Sequence, residues 1–459
     1  MNKNLKSHDL TVAVDIGTTK VCAIAARKNE HNKLEIVGFG KVESEGVLRG
    51  VVSNIEKTVN AITEAVRIAE GQTGTKFSTV NVGIAGQHIR SLHHRGILTR
   101  DNPNSVITDE DIDKLIKDMG KLVLPPGDQI IHVLPQEFTV DNEQGITDPK
   151  GMSGVRLEAN FHIITGQVTA YKNIVRCIEK AGLKVGEIML EPIASAEAVL
   201  SDDEKDAGIA LVDIGGGTTD ITIFKDGIIR HTAVIPFGGN AITKDIKEGC
   251  TVMPNQAEKL KVKFGSALAE EVYEERIISI PGIKGHDPRE ISEINLARII
   301  QARVEEILDF VVWEIKRSGY ERKLIGGMVL TGGGALLNHI KKLAAYHTGM
   351  SVRIGSPRDS LAQGYLEEIS SPMFSTGIGL LLKGKQQEPM IEPESDFASN
   401  SVFVSDLEPE ENNEKNGPSN RIPYQDESDS EGGIYKDKPK NWLDDIMLKT
   451  RGWFTETDE

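Results

Sequence analysis

At 459 residues the chain is long enough for two or more domains with substantial cores. Its 39% hydrophobic and 27% charged residues are ordinary for a soluble protein, and 5% aromatic residues suit a glycine-rich α/β protein better than an all-β sandwich. The net charge of −16 argues against a nucleic-acid grip over the whole surface.

In chain order, Leu10 to Val14 reads as a strand that delivers Asp15 to the small-residue turn Gly17-Thr18-Thr19-Lys20, and Val21 to Ala25 continues as a second strand. Leu34 to Phe39 is extended. Ser53 to Glu70 is helical, with Ile55, Val59, Ile62, Val66 and Ala69 recurring at three- and four-residue steps. A strand at Thr79 to Ile84 precedes a Gly/Pro-punctuated region, 86–164. This region reads as an inserted subdomain with one helix (Ile112, Leu115, Ile116, Met119, Leu122 on one face) and an extended run, Gln129 to Val140. Val168 to Lys180 is helical again.

The second half begins near Asp206. A strand, Ile209 to Val212, leads to Asp213 and the turn Gly215-Gly216-Gly217-Thr218, with a second strand at Ile221 to Phe224. A long helix is expected from Ile294 to Lys316. A strand at Gly326 to Leu330 then enters the turn Thr331-Gly332-Gly333-Gly334 and a new helix. Phe374 to Leu381 is the last ordered motif. From Lys385 to Asp437 there are 14 acidic and 4 basic residues with few apolar ones, so this stretch is expected to be a disordered acidic linker.

An Asp at a strand end beside a small-residue turn places one carboxylate next to a run of backbone N–H groups. Such a turn can cradle phosphate oxygens, and its carboxylate can hold a metal through water. Two copies in one chain suggest a duplicated domain gripping one phosphate chain between its halves. Glycines at Gly332, Gly333 and Gly334 let backbone approach a ligand closely. The dinucleotide fingerprint GxGxxG is absent, and the nearest P-loop match, Gly379 to Lys385, is followed by Gln386 where a hydroxyl is needed. Cys22, Cys177 and Cys250 form no CxxC, so a reducing compartment is expected and a disulfide or metal framework is not. His93 and His94 lack any supporting ligand spacing and read as surface residues. Met1 to Asp9 offers no signal-peptide apolar region, and no apolar run reaches the roughly 18 residues a bilayer span needs.

In their order these elements resemble the actin/Hsp70/sugar-kinase superfamily. Asp15 to Lys20 is similar to its first phosphate loop, Asp213 to Asp220 to its second, and Thr331 to Gly334 to its adenosine loop. Glu191-Pro192-Ile193-Ala194-Ser195-Ala196 and Gly377-Ile378-Gly379 resemble its two connecting motifs. The segments His132-Val133-Leu134-Pro135-Gln136-Glu137-Phe138, Gly151 to Glu158, Gly238-Gly239-Asn240 and Ala257 to Lys261 are similar to FtsA, the actin-like bacterial cell-division family.

The resemblance implies ATP and Mg²⁺ as ligands. Asp15 and Asp213 orient the metal through water, and Gly17, Thr18, Thr19, Gly215, Gly216, Gly217 and Thr218 donate to phosphate. Lys20 either neutralises phosphate or points outward. Glu191 either positions an attacking water or serves as a helix N-terminal acid. Glu258 and Lys261, three apart on one helix face, sit at ribose and adenine or form a simple surface pair.

Beyond the linker, residues 438–459 wind into an amphipathic helix. Trp442, Leu443, Ile446, Met447, Thr450, Trp453 and Phe454 fall within an arc of about 140°, with Asp444, Asp445, Lys449 and Arg451 opposite and Leu448 the exception. That composition suits a helix lying in a bilayer interface.

The expected fold is therefore α/β and actin-like. One RNase H-like lobe spans 8–85 and 165–205, with an insert at 86–164. The other spans 206–237 and 323–384, with an insert at 238–322. The resemblance implies a division protein that polymerises on the inner face of the cytoplasmic membrane and tethers FtsZ through the second insert. It also implies contact with itself, lipid and other division proteins, and at most slow ATP hydrolysis. A metabolite kinase and a pilus-assembly adaptor are the alternatives.

Overall fold

The computed structural model describes residues 10–384 apart from 101, 103, 104, 274, 275, 283–286 and 366. The linker expected at 385–437 and the helix expected at 438–459, with Trp442, Leu443, Ile446, Met447, Trp453 and Phe454, lie outside the described residues.

β1 (Thr11–Ile16) is buried along its whole length, the usual state of an apolar run flanked by strands on both sides. It pairs antiparallel with β2 (Lys20–Lys28), which pairs antiparallel with β3 (Leu34–Glu43). A small hairpin, β4 (Val47–Leu48) and β5 (Val51–Val52), leads into α1 (Ile55–Thr73). That helix starts where the Asn54 side chain accepts from Lys57 N–H at 3.0 Å and stops at left-handed Gly74. Its Ala61, Ile62, Ala65, Val66 and Ala69 are buried in the core beneath β1 and β2. β6 (Thr79–Ile84) then joins β1 in parallel.

The chain next leaves this sheet. β7 (Arg90–Thr99), α2 (Asp109–Met119), β8 (Asp128–Val140), β9 (Glu143–Ile146) and β10 (Arg156–Gln167) form a four-stranded sheet, order β7-β10-β8-β9, with a core of its own around Leu98, Leu115, Met119 and Phe161. α2 stops at Met119, so Leu122 lies beyond it. The chain returns through α3 (Val168–Lys180) to β11 (Lys184–Leu190), parallel to β6, and then α4 (Glu191–Val199).

After α5 (Asp202–Ala207) the plan repeats. β12 (Ile209–Ile214), β13 (Thr219–Lys225) and β14 (Ile228–Ile235) pair antiparallel in succession. α6 (Gly239–Cys250), α7 (Pro254–Phe264) and the hairpin of β15 (Ile277–Ile280) with β16 (Arg289–Ser292) precede α8 (Glu293–Ser318). β17 (Gly327–Thr331) joins β12 in parallel, followed by α9 (Ile340–Thr348), β18 (Val352–Ile354) and α10 (Ser375–Lys383).

The two five-stranded sheets, β3-β2-β1-β6-β11 and β14-β13-β12-β17-β18, correspond strand for strand. α8 fills the connection that α1 fills in the first lobe. It buries Leu296, Ile300, Val304, Leu308, Val311 and Ile315 in one core with β12 and β13. The closing helices trade places: α4 packs on β12 and β13, and α10 on β1 and β2. They cross so closely that a β-carbon on Gly379 would stand 1.7 Å from Ala194 O.

Candidate functional site

Both Asp-bearing strands end in the same turn. Gly17 N–H donates to Lys20 O at 2.9 Å, and Gly215 N–H donates to Thr218 O at 2.9 Å. The tips face each other across the gap between lobes. A β-carbon on Gly216 would lie 2.4 Å from Thr19 Cγ2, and one on Gly217 would lie 2.6 Å from Thr18 Oγ1. Gly17, Thr18 and Thr19 are thus brought against Gly215, Gly216, Gly217 and Thr218. The strand register makes Lys20 the counterpart of Thr218 and sets Asp15 opposite Cys22 where Asp213 stands opposite Asp220.

Four carboxylates converge behind these tips. Asp15 holds Lys20 Nζ at 2.6 Å. Asp213 accepts from Ser195 Oγ of α4 at 2.7 Å, and Ser195 in turn meets Thr376 Oγ1 of α10 at 2.9 Å. Asp220 accepts from Thr218 Oγ1 at 3.0 Å, while its buried Oδ1 has no partner among the described residues. Glu191 is the first residue of α4, and its side chain lies over Gly83, where a β-carbon would stand 2.7 Å from Glu191 Cγ.

The electrostatics follow from that crowding. Burial, then the carboxylates of Asp15, Asp220 and Asp213, push Glu191 well above the ordinary carboxyl range. Burial and Asp213 push Asp220 up to about 7, and burial also raises Asp213 against the pull of Ser195. Burial opposes the charge on Lys20, yet Asp15 overcomes it and holds the ammonium above its usual range. Burial pushes the neighbouring Cys22 thiol up to about 12, so it is no nucleophile here. One ammonium thus faces four carboxyl groups, a surplus that a hydrated divalent cation would offset. Among the described residues no three His, Cys, Asp or Glu side chains form a direct metal cage. The unpartnered Asp220 oxygen and the oxygen-only donor set fit Mg²⁺ held through its waters.

The third glycine turn closes over Asp213. Gly332 has φ 82° and ψ 177°, a conformation open almost only to glycine, and a β-carbon there would lie 2.2 Å from Asp213 Oδ1. Gly334 abuts Ile214 in the same way, whereas Gly333 has, among the described residues, only Met373 nearby. No α-helix starts at these glycines: a 3₁₀ turn spans Gly333–Leu336, and α9 begins at Ile340, after left-handed His339. The turn therefore contributes close backbone approach and no α-helix N-terminus.

Glu258 and Lys261 form an ion pair at 2.8 Å on α7, and Lys261 Nζ also donates to Gly239 O at 3.0 Å. Gly239 N–H in turn donates to Gly215 O at 2.9 Å, so the pair sits one step behind the second turn. His93 and His94 are exposed. Asp220, Ser195 and Thr376 join the site without having been expected there from the sequence. All three lie inside motifs the sequence singles out, but only strand register and helix crossing reveal that they meet at Asp213.

Residues 210–379 match the family described as cell division protein FtsA, and residues 86–165 match the SHS2 domain inserted in FTSA. A cell division protein FtsA from Pseudomonas aeruginosa is 40% identical over 89% of this chain and 95% of its own length. The chain belongs to the FtsA family. FtsA of Escherichia coli K12 is 34% identical over 82% of this chain and 90% of its own. FtsA of Bacillus subtilis is 37% identical over 82% and 84%. Among solved structures, a PilM-PilN type IV pilus biogenesis complex covers 82% of this chain and 98% of that one, with a TM-score of 0.60 at 14% identity. That likeness concerns the fold, which is actin-like, with the SHS2 subdomain inserted in the first lobe. Among the described residues no helix is long and apolar enough to cross a membrane.

Proposed function

We propose that this FtsA-family chain binds ATP with Mg²⁺ between its lobes, polymerises on the inner face of the cytoplasmic membrane and anchors the FtsZ ring there. The observation that carries the reading is the meeting of the two turns over one carboxylate cluster. Backbone N–H groups of Gly17 to Thr19 and Gly215 to Thr218 are the donors for phosphate oxygens. Asp15 and Asp213 hold the hydrated metal, with Asp220 beside them. The metal, when bound, supplies charge neutralisation for the phosphates and for the carboxyl surplus. Lys20 stays paired to Asp15 or turns to phosphate. Gly332, Gly333 and Gly334 line the base side, with Glu258 and Lys261 toward ribose and adenine.

Glu191 is the residue for water positioning. The expected turnover is well below the order of 10 s⁻¹ of dedicated enzymes. Binding alone can lock a polymer without rapid turnover.

FtsZ docking is assigned to the second insert, 238–322. An open cavity of about 520 Å³ there, bordered by Glu270, Ile294, Arg298 and Gln301, offers a recess for a peptide. The membrane contact is assigned to 438–459 through Trp442, Leu443, Ile446, Met447, Trp453 and Phe454. A single short helix of this kind holds reversibly, so stable attachment requires many copies in a filament.

Electron microscopy of the full chain on lipid monolayers, with and without ATP, tests the reading. Ordered filaments on lipid that need ATP are expected, and truncation before Lys438 abolishes them while leaving nucleotide affinity intact. A metabolite-dependent burst of ADP with no filaments would instead identify a kinase.

A further inference from the structure

The segment His132 to Phe138 lies in β8 of the SHS2 insert, yet its side chains leave the insert in two directions. The ladder between β8 and β10 slips twice. Thr165 pairs with Ile130 and Ile164 with His132, which leaves Ile131 unpaired; Phe161 pairs with Pro135 and Asn160 with Glu137, which leaves Gln136 unpaired. Bulges of this kind re-aim neighbouring side chains. Beside the first bulge, the half-buried His132 accepts from Leu190 N–H through Nε2 at 3.0 Å. Leu190 is the last residue of β11 and the N-cap of α4, so this bond holds the turn that presents Glu191 to the carboxylate cluster. At the second bulge, Gln136 Nε2 donates to Ile229 O of β14 at 2.8 Å, and Glu137 takes Arg230 at 2.9 Å. One strand of the insert thus grips the first lobe at Leu190 and the second at Ile229 and Arg230.

We propose that His132 is a positioning residue for Glu191, and that β8 is a strut transmitting lobe movement at the nucleotide site to the SHS2 insert. The proposal rests on the nucleotide reading given above. Accepting at Nε2 requires the proton on Nδ1 and a neutral ring. Burial, then Lys383 of α10, lowers His132 to about 4, which keeps the ring neutral. Elements with two attachments across a moving joint are where a shift in one population is felt at the other.

The test uses full-length protein and compares His132→Phe, which cannot accept, with His132→Gln, whose Oε1 can accept in place of Nε2. Hydrogen exchange is followed in peptides covering 186–193 and 128–140, without nucleotide and with saturating Mg-ATP, and ATP affinity is measured with a fluorescent analogue. Without nucleotide, exchange across 186–193 should speed up at least ten-fold in His132→Phe and recover in His132→Gln. With ATP, the wild type should gain protection across 128–140, and His132→Phe should lose that gain while binding ATP within about three-fold of wild type.

Unchanged exchange at 186–193 in His132→Phe, or ATP-linked protection of 128–140 that survives it, overturns the proposal. If His132→Phe does not fold, Gln136→Met combined with Glu137→Ala removes both contacts at the strut's other end and must remove the same ATP-linked protection. A wild type that binds no ATP at all overturns the nucleotide reading and the transmission with it. The nucleotide-free exchange at 186–193 still reads out His132 on its own in that case.

Discussion

Ser195 and Asp213 are joined by a 2.7 Å hydrogen bond that runs from α4, the closing helix of the first lobe, to β12, the central strand of the second. Through Thr376 the same hydroxyl reaches α10, so both closing helices converge on the one carboxylate that ends the second lobe's central strand.

Ser195→Ala should cost about 1–3 kcal/mol of stability, since it removes a partner from a half-buried carboxylate. It should also weaken ATP binding, because Asp213 loses the group that fixes its rotamer. Urea unfolding of the nucleotide-free protein and a fluorescent-analogue titration check both effects. Ser195→Thr should keep most of each.

The charge surplus gives a pH dependence with a definite sign. Asp220 rises from an ordinary value of 3.8 to about 7 on folding, so its contribution is fully present below about pH 4 and is lost as pH climbs from about 4 to about 7. His132 and His162, both lowered to about 4 chiefly by burial, act oppositely: they destabilise at low pH, and that penalty is relieved as pH rises from about 4 to about 6.5. The difference between Asp220→Asn and wild type cancels the histidines. Asp220→Asn should stabilise the nucleotide-free protein little at pH 4 and more at pH 8, by at most about 4 kcal/mol, while lowering affinity for Mg-ATP. A stabilisation that shrinks as pH rises would contradict the assignment.

Two glycine substitutions should move stability in opposite directions. Gly379→Ala places a methyl 1.7 Å from Ala194 O and forces α4 and α10 apart, a loss of at least about 3 kcal/mol if the protein folds at all. Gly71→Ala, inside α1 with no atom of the described residues within 4 Å of its new β-carbon, should stabilise by about 0.5–1 kcal/mol. Thermal or urea unfolding of both variants in one buffer decides.

Much of this architecture was legible because its signals are local. The three- and four-residue steps of Ile62, Val66 and Ala69, and of Val304, Leu308 and Val311, mark α1 and α8. The repeated Asp-turn marks the two lobes. What was not legible depends on pairing across distance. The register that sets Asp220 opposite Asp213, and Cys22 opposite Asp15, is fixed by backbone hydrogen bonds between strands and leaves no pattern in composition. The crossing of α4 and α10 that brings Ser195 to Asp213 is likewise a property of the assembled lobes. The missing helix after Gly334 has a local cause: left-handed His339 interrupts the chain before Ile340, and no glycine or proline announces it.

Gly332→Ala bears on the third turn. Its backbone conformation costs a non-glycine residue about 1–3 kcal/mol, and the new methyl would collide with Asp213 Oδ1 and Ile214 O. The variant should lose both stability and ATP affinity, whereas Gly333→Ala, with only Met373 at 3.8 Å, should be mild in stability. Equal losses in the two would place the strain elsewhere.

The most direct measurement is a crystal structure of the protein with Mg²⁺ and a non-hydrolysable ATP analogue. The account predicts phosphate oxygens within hydrogen-bond reach of backbone N–H groups from both Gly17–Thr19 and Gly215–Thr218, with the metal's waters on Asp15 and Asp213. Phosphate density touching only one turn, or lying away from both, would contradict it.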